Sequence, residues 1–167
     1  MEKNVQEWLK KIEKAKQGSM DLSKDEDLSI ALMNLVSLEE HFYFTAMKTD
    51  NGAYLDMLQQ VREMRQRFMK KIVTDAVGEE WCISKHLLAA SMRLIEVGTK
   101  EQAKKNLAEA HECFTAAFDL WSLFFAINLK MIDKKELPEL AHEKKSREQP
   151  NKFSQMIKSI VDCCKEW

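Results

Sequence analysis

The sequence has little glycine and proline, with 4 Gly and 2 Pro among 167 residues. Such a small supply of turn-forming residues excludes an all-β sandwich or barrel, whose short strands need frequent turns. An excess of charge of one sign is also lacking, because 26 Lys and Arg residues face 27 Asp and Glu residues, for a formal net charge of −1. Since nucleic-acid-binding domains are usually strongly basic, the composition makes nucleic acid an unlikely partner.

Long hydrophobic runs and clustered cysteines are lacking as well. The longest apolar run, residues 120–129, is interrupted by Ser122 and Asn128 and is shorter than the roughly 18 residues that a transmembrane helix needs. The charged N-terminus does not resemble a secretory signal. No Cys-x-x-Cys pair occurs, which disfavours a zinc cluster or a disulfide framework. We therefore expect a cytoplasmic protein with reduced thiols and no membrane association. The four cysteines are Cys82, Cys113, Cys163 and Cys164.

What the chain does contain is helical periodicity along most of its length. The apolar spacing predicts four amphipathic helices at about residues 23–47, 53–73, 79–97 and 100–131. Gly98 is expected to end the third helix, and the capping box Thr99–Gln102 to begin the fourth. Met64 and Phe68 are expected to face the core from the second helix. Because the connections are short, neighbouring helices should be antiparallel, which predicts an all-α, up-down four-helix bundle.

Two further apolar stripes, within residues 5–15 and 152–165, predict an additional helix at each terminus. Residues 1–132 would then form the N-terminal helix and the four-helix bundle. Residues 133–167 would form a polar linker and a C-terminal helix that packs on the same domain. The fourth helix, at about 30 residues, would be roughly 45 Å long, and the terminal helices would cover its extra length.

Motifs for metal, phosphate or nucleophilic chemistry are missing from the predicted bundle. A ferritin-like di-metal site needs two Glu-x-x-His motifs, whereas the chain has one, Glu139–His142, in the polar segment after Pro138. Gly-rich phosphate loops, His-Glu-x-x-His and Gly-x-Ser-x-Gly do not occur. We therefore expect no metal and no cofactor, and we favour a non-enzymatic protein.

One polar layer is predicted inside the bundle, because four polar residues fall at about the same level when positions are counted from the turns. Glu39 and Arg65 interrupt apolar stripes, while His86 and His111 flank them. The favoured interpretation is a structural Glu39–Arg65 ion pair, since charges are rarely buried unless paired. The alternative is a small-molecule or metal site, possibly hydrolytic, built by all four side chains.

The leading functional hypothesis is a binding or assembly protein of unknown process. The fourth helix is apolar on nearly all sides and must meet the terminal helices, a second copy or another protein. We therefore expect a homodimer or a protein partner. A weaker alternative is RNA binding along the basic stretch Arg62–Lys71 of the second helix. The expected interface residues are Phe118, Trp121, Phe125, Phe153, Ile157 and Ile160.

Overall fold

The computed structural model describes residues 22–76 and 78–130, and this part of the chain contains helices and no strand. The helices are α1 (Ser23–Thr49), α2 (Ala53–Met69), α3 (Glu80–Ala103) and α4 (Leu107–Asn128). The all-α prediction is therefore confirmed for the described residues. No helix among them combines the length and the apolar character of a membrane span. The two predicted terminal helices, with Phe153, Ile157 and Ile160, lie outside the described residues.

The turn between α1 and α2 is formed by Asp50, Asn51 and Gly52. Asp50 adopts the left-handed conformation with φ 50°, which Asp tolerates better than most residues. The Asn51 side-chain oxygen then accepts a hydrogen bond from the Ala53 backbone N–H at 3.0 Å, so it satisfies a donor at the start of α2. This local chemistry explains why the turn was predictable from the sequence.

The predicted boundary at Gly98 is wrong. Helix α3 continues to Ala103, and the chain turns at 104–106, where Lys105 has a φ of 63°. Thr99 does not cap a new helix, because its hydroxyl donates to the Ile95 carbonyl within α3 at 2.9 Å. Consequently α4 has 22 residues and is shorter than α3, which has 24. The expectation of an unusually long fourth helix is thereby corrected.

The closest backbone contacts join α1 to α2, α3 to α4, and α1 to α3. Within the described residues, no Cα atom of α2 lies within 8 Å of one in α3 or α4, and the same holds between α1 and α4. Close backbone contacts therefore link the described helices in the order α2, α1, α3, α4. A closed up-down bundle would also pair α2 with α3 and α4 with α1, so that finer arrangement stays a prediction.

Small residues at seven-residue intervals line the contact between α3 and α4. Ser84, Ser91 and Gly98 are all buried on α3, and Ala110 and Ala117 are buried on α4. The Ser91 hydroxyl donates across the contact to the Ala117 carbonyl at 2.8 Å. Because interaxial distance depends on the side chains at the contact, this pattern allows a close approach of the two helices.

The hydrophobic core lies at one end of the four described helices. It combines the first half of α1, the end of α2, the middle of α3 and the end of α4. The Trp121 indole N–H donates to the Ser29 hydroxyl at 2.9 Å and so ties α4 to α1 there. The opposite end, with the turns at 50–52 and 104–106, lies outside this core. The core residues are Leu32, Met33, Met69, Ile72, Val73, Leu88, Phe124, Phe125, Ala126 and Ile127.

Candidate binding surface

Helix α2 carries an apolar stripe that the described residues leave largely uncovered. Successive members are three or four residues apart and therefore share one helix face. Met57, Met64 and Phe68 are 47%, 40% and 37% exposed, and the other two members are half-buried. The adjacent flank of α2, with Leu58, Arg65 and Met69, is buried. We call the set the α2 stripe: Tyr54, Met57, Val61, Met64 and Phe68.

The α2 stripe corrects the expectation that Met64 and Phe68 face the core. The periodicity correctly placed both residues on one apolar face with Val61. However, among the described residues α1 is the one helix whose Cα atoms come within 8 Å of those of α2. One flank of α2 is thus buried against α1, and the face carrying Met64 and Phe68 is left open to solvent.

Helix α1 extends this apolar surface. The Phe42 ring lies 6.4 Å from the Tyr54 ring, measured between centroids, and Leu38 is 38% exposed on the turn before Phe42. Further large apolar side chains are exposed towards the two turns. These further residues are Tyr43, Phe44, Met47, Leu55, Ile95, Val97 and Leu107.

An open groove of about 570 Å³ lies between α1 and α3. Leu38 and Phe44 provide its apolar part, and Arg93 and Glu96 line it from α3. Arg93 also links the two helices, because its guanidinium donates to the Ser37 hydroxyl at 2.6 Å. The groove therefore continues the apolar surface of α1 and has a charged border.

The structure brings Glu39 and Arg65 together. The Arg65 Nε lies 2.5 Å from one Glu39 oxygen, and the Arg62 Nε lies 3.1 Å from the other. Arg65 is 5% exposed, so its charge depends on the carboxylate for compensation. The sequence analysis had missed the role of Arg62. Arg62 and Arg65 are three residues apart and therefore lie on one side of α2, facing Glu39. That spacing was the sequence signal for a role of Arg62.

His86 and His111 do not join this ion pair. Both side chains are exposed to solvent, whereas Glu39 and Arg65 are buried between α1 and α2. In residues 22–76 and 78–130, no group of three His, Cys, Asp or Glu side chains could hold a metal ion. The four-residue layer is therefore not assembled as one metal or hydrolytic site in this part of the chain.

The aromatic residues of α4 that were expected at an interface contribute to the core. Phe125 is 1% exposed and belongs to the hydrophobic core, where a partner protein cannot reach it. Phe118 and Trp121 are partly buried and pack against that core. The Trp121 ring lies 4.9 Å from the Phe125 ring in an edge-to-face arrangement. Contacts of Phe118 and Trp121 with a partner stay a prediction.

Buried serines are the polar feature of the core that the sequence analysis missed. Ser29, Ser84, Ser91 and Ser122 are at most 1% exposed. Each of these hydroxyls takes part in a hydrogen bond. Ser29, for example, donates to the Glu26 carbonyl at 2.7 Å. The seven-residue spacing of Ser84, Ser91 and Gly98 was the signal that would have identified a close helix contact.

Two shifted pKa values belong to structural groups. Desolvation raises the pKa of the Cys113 thiol, and the nearby Glu109 and Glu112 carboxylates raise it further. The pKa of Glu101 is lowered because its carboxylate accepts hydrogen bonds from Lys104 and Asn106, at 2.6 and 3.2 Å. Neither group lies on the α2 stripe, so neither indicates chemistry at that surface.

Comparisons with known proteins give no family for the chain: no family model matches it, and no curated protein or solved structure is significantly similar to it.

Proposed function

We propose that the chain is a non-enzymatic helical protein that binds a second copy of itself or another protein through an exposed apolar surface. The observation that carries this proposal is the α2 stripe, with its extension onto Phe42 of α1. Large contiguous apolar surfaces on soluble domains usually mark protein interaction sites. Methionines are also suited to such surfaces, because their flexible side chains adapt to a partner.

The proposal includes the finer architecture expected from the sequence. The four helices form an up-down bundle, and residues 5–15 and 152–165 form additional helices that pack on it. The expected interface combines Phe118 and Trp121 of α4 with Phe153, Ile157 and Ile160 of the C-terminal helix. Cys82 and Cys113 are free thiols, which is compatible with the expected cytoplasmic location.

The two alternative functions have less support from the described contacts. Arg62 forms an ion pair with Glu39, and Arg65 is buried, so both are engaged within the chain. The other basic residues of the stretch are Arg67, Lys70 and Lys71, which are exposed. Lys71 lies over the Phe68 ring at 4.9 Å. RNA binding would thus depend on few cations, and a metal site in the polar layer would lack its histidines.

Native mass spectrometry of the untagged, full-length chain tests the proposed function. We expect a dimer, or a stable complex with a protein copurified from the source cells. Sedimentation equilibrium at increasing concentration then measures self-association without a gas-phase step. A chain that is monomeric at every concentration, and that carries a stoichiometric metal or small molecule, would contradict the proposal.

A further inference from the structure

We propose that the α2 stripe binds the α2 stripe of a second copy in antiparallel orientation, with a two-fold axis passing near Val61. This inference rests on the proposed function and specifies the partner and the surface. It requires an apolar seam that is symmetric about its centre, and charges along the seam that favour one orientation. Helix α2 has both features.

The symmetry lies in the spacing of the stripe. Tyr54 and Phe68 are each seven residues from Val61, while Met57 and Met64 are four before it and three after it. These alternating intervals of three and four are those of a coiled-coil seam. Antiparallel pairing puts Val61 opposite Val61 of the second copy, Met57 opposite Met64, and Tyr54 opposite Phe68. The same patch thereby serves both copies, as a closed two-fold dimer requires.

The charges favour the antiparallel orientation. Asp56 and Arg67 are exposed and lie on the same flank of the stripe, because eleven residues bring a helix back to almost the same angle. Asp56 is five residues before Val61 and Arg67 is six residues after it. An antiparallel pair therefore brings Asp56 of each copy close to Arg67 of the other. A parallel pair would place this flank of each copy beside the opposite flank of the other, so Asp56 and Arg67 would not pair across the seam.

The surface around the stripe also suits a second helix. Phe42 of α1 continues the stripe on its inner side, while Gln60 and Arg67 lie along the outer side. From Tyr54 to Phe68 the seam is about 21 Å long. The Lys71 ammonium lies over the Phe68 ring and marks one end of the seam.

Charge exchange tests the orientation. Full-length Asp56→Arg and Arg67→Asp variants each replace two attractive contacts by two repulsive ones, so we expect dimer dissociation constants about tenfold higher than for the unchanged chain. The double variant restores both contacts and should return to within about twofold. An equimolar mixture of the two single variants should form heterodimers, which native mass spectrometry separates by mass. Sedimentation equilibrium at low salt measures the constants.

A substitution at the seam tests the surface itself. Met64→Glu places a charge in the seam and should make the chain monomeric at concentrations where the unchanged chain is dimeric. The matched control is Gln66→Glu, which adds the same charge to an exposed position on the opposite side of α2 and should leave the dimer intact. Circular dichroism checks that all variants keep their helices.

Three results would overturn this inference. If the chain is dimeric and Met64→Glu leaves it dimeric, another surface forms the dimer, and the proposed function stands without this inference. If the chain is monomeric and Met64→Glu lowers its melting temperature while Gln66→Glu does not, a terminal segment covers the stripe. If the two single charge variants do not form heterodimers, the orientation is wrong.

Discussion

Replacing Gly98 with alanine tests the close contact of α3 with α4. A Cβ atom at this position would lie 2.7 Å from Phe114 Cε1 and 2.8 Å from Cδ1. Both distances are well below normal contact, so the Phe114 ring or the α3 backbone must move. Phe114 cannot turn freely, because few rotamers are available to an aromatic residue within a helix.

Two opposing effects set the magnitude of the change. Alanine is favoured over glycine in a helix interior by about 1 kcal/mol. Insertion of an extra methyl into a packed contact costs about 1–3 kcal/mol. We therefore expect Gly98→Ala to lower the free energy of unfolding by about 1 kcal/mol, which corresponds to a melting-temperature decrease of roughly 2–4 °C for a chain of this length.

A double-mutant cycle with Phe114→Ala assigns the effect to this contact. Without the ring, the added methyl meets no obstacle, and Gly98→Ala should become stabilising by about 1 kcal/mol. Gly52→Ala is the matched control, since Gly52 has a helical φ of −62° and a Cβ there would have nothing within 4 Å. It should stabilise the protein slightly through the unfolded state. Urea unfolding followed by circular dichroism measures the four variants and the unchanged chain.

The close contact of α3 with α4 is refuted if Gly98→Ala stabilises the protein as much as Gly52→Ala does. It also fails if the effect of Gly98→Ala is the same with and without the Phe114 ring. Either result would mean that α3 and α4 are further apart than the spacing of Ser84, Ser91 and Gly98 implies. The glycine would then be a tolerated helix residue without a packing role.

Two further predictions concern buried groups. Glu39→Ala should lower the free energy of unfolding by about 3 kcal/mol, because it leaves Arg65 buried without a counter-charge. Arg62→Ala should lower it by less than about 1 kcal/mol, since Arg62 is partly exposed. Urea unfolding compares the two variants. Since the pKa of Cys113 is raised, its thiol is less ionised at pH 8.5 than an ordinary cysteine, which is about half ionised there. Alkylation mapped by mass spectrometry should therefore modify exposed Cys82 first, and equal rates would contradict this.

The sequence predicted well where a local rule decides the structure. The turn at Asp50 and Asn51 follows from side-chain chemistry within three residues, and the first two helices begin where the patterns indicated. The Glu39–Arg65 contact was predictable because two charged residues interrupted apolar stripes at the same level. In each case the deciding information lay in neighbouring residues or in one repeated spacing.

Gly98 shows where local rules are insufficient. Glycine commonly follows the end of a helix, and Thr99 begins a sequence that resembles a capping box. The structure gives this glycine another role, because the Phe114 ring on the next helix occupies the space that a side chain at position 98 would need. The glycine therefore fits a contact between helices and does not end one, since α3 continues to Ala103 and α4 begins at Leu107.

The α2 stripe shows a second limit, because periodicity identifies an apolar face but not what covers that face. Met64 and Phe68 would be core residues in a closed bundle, and they are surface residues because α2 has α1 as its only close helical neighbour in the described part of the chain. An edge helix of this kind buries one flank and leaves the other available. The five residues of the stripe are symmetric about Val61, and Asp56 and Arg67 have opposite charges at its two ends. A helix with these properties can supply its own missing neighbour, and this is why we favour a second copy over an unrelated partner.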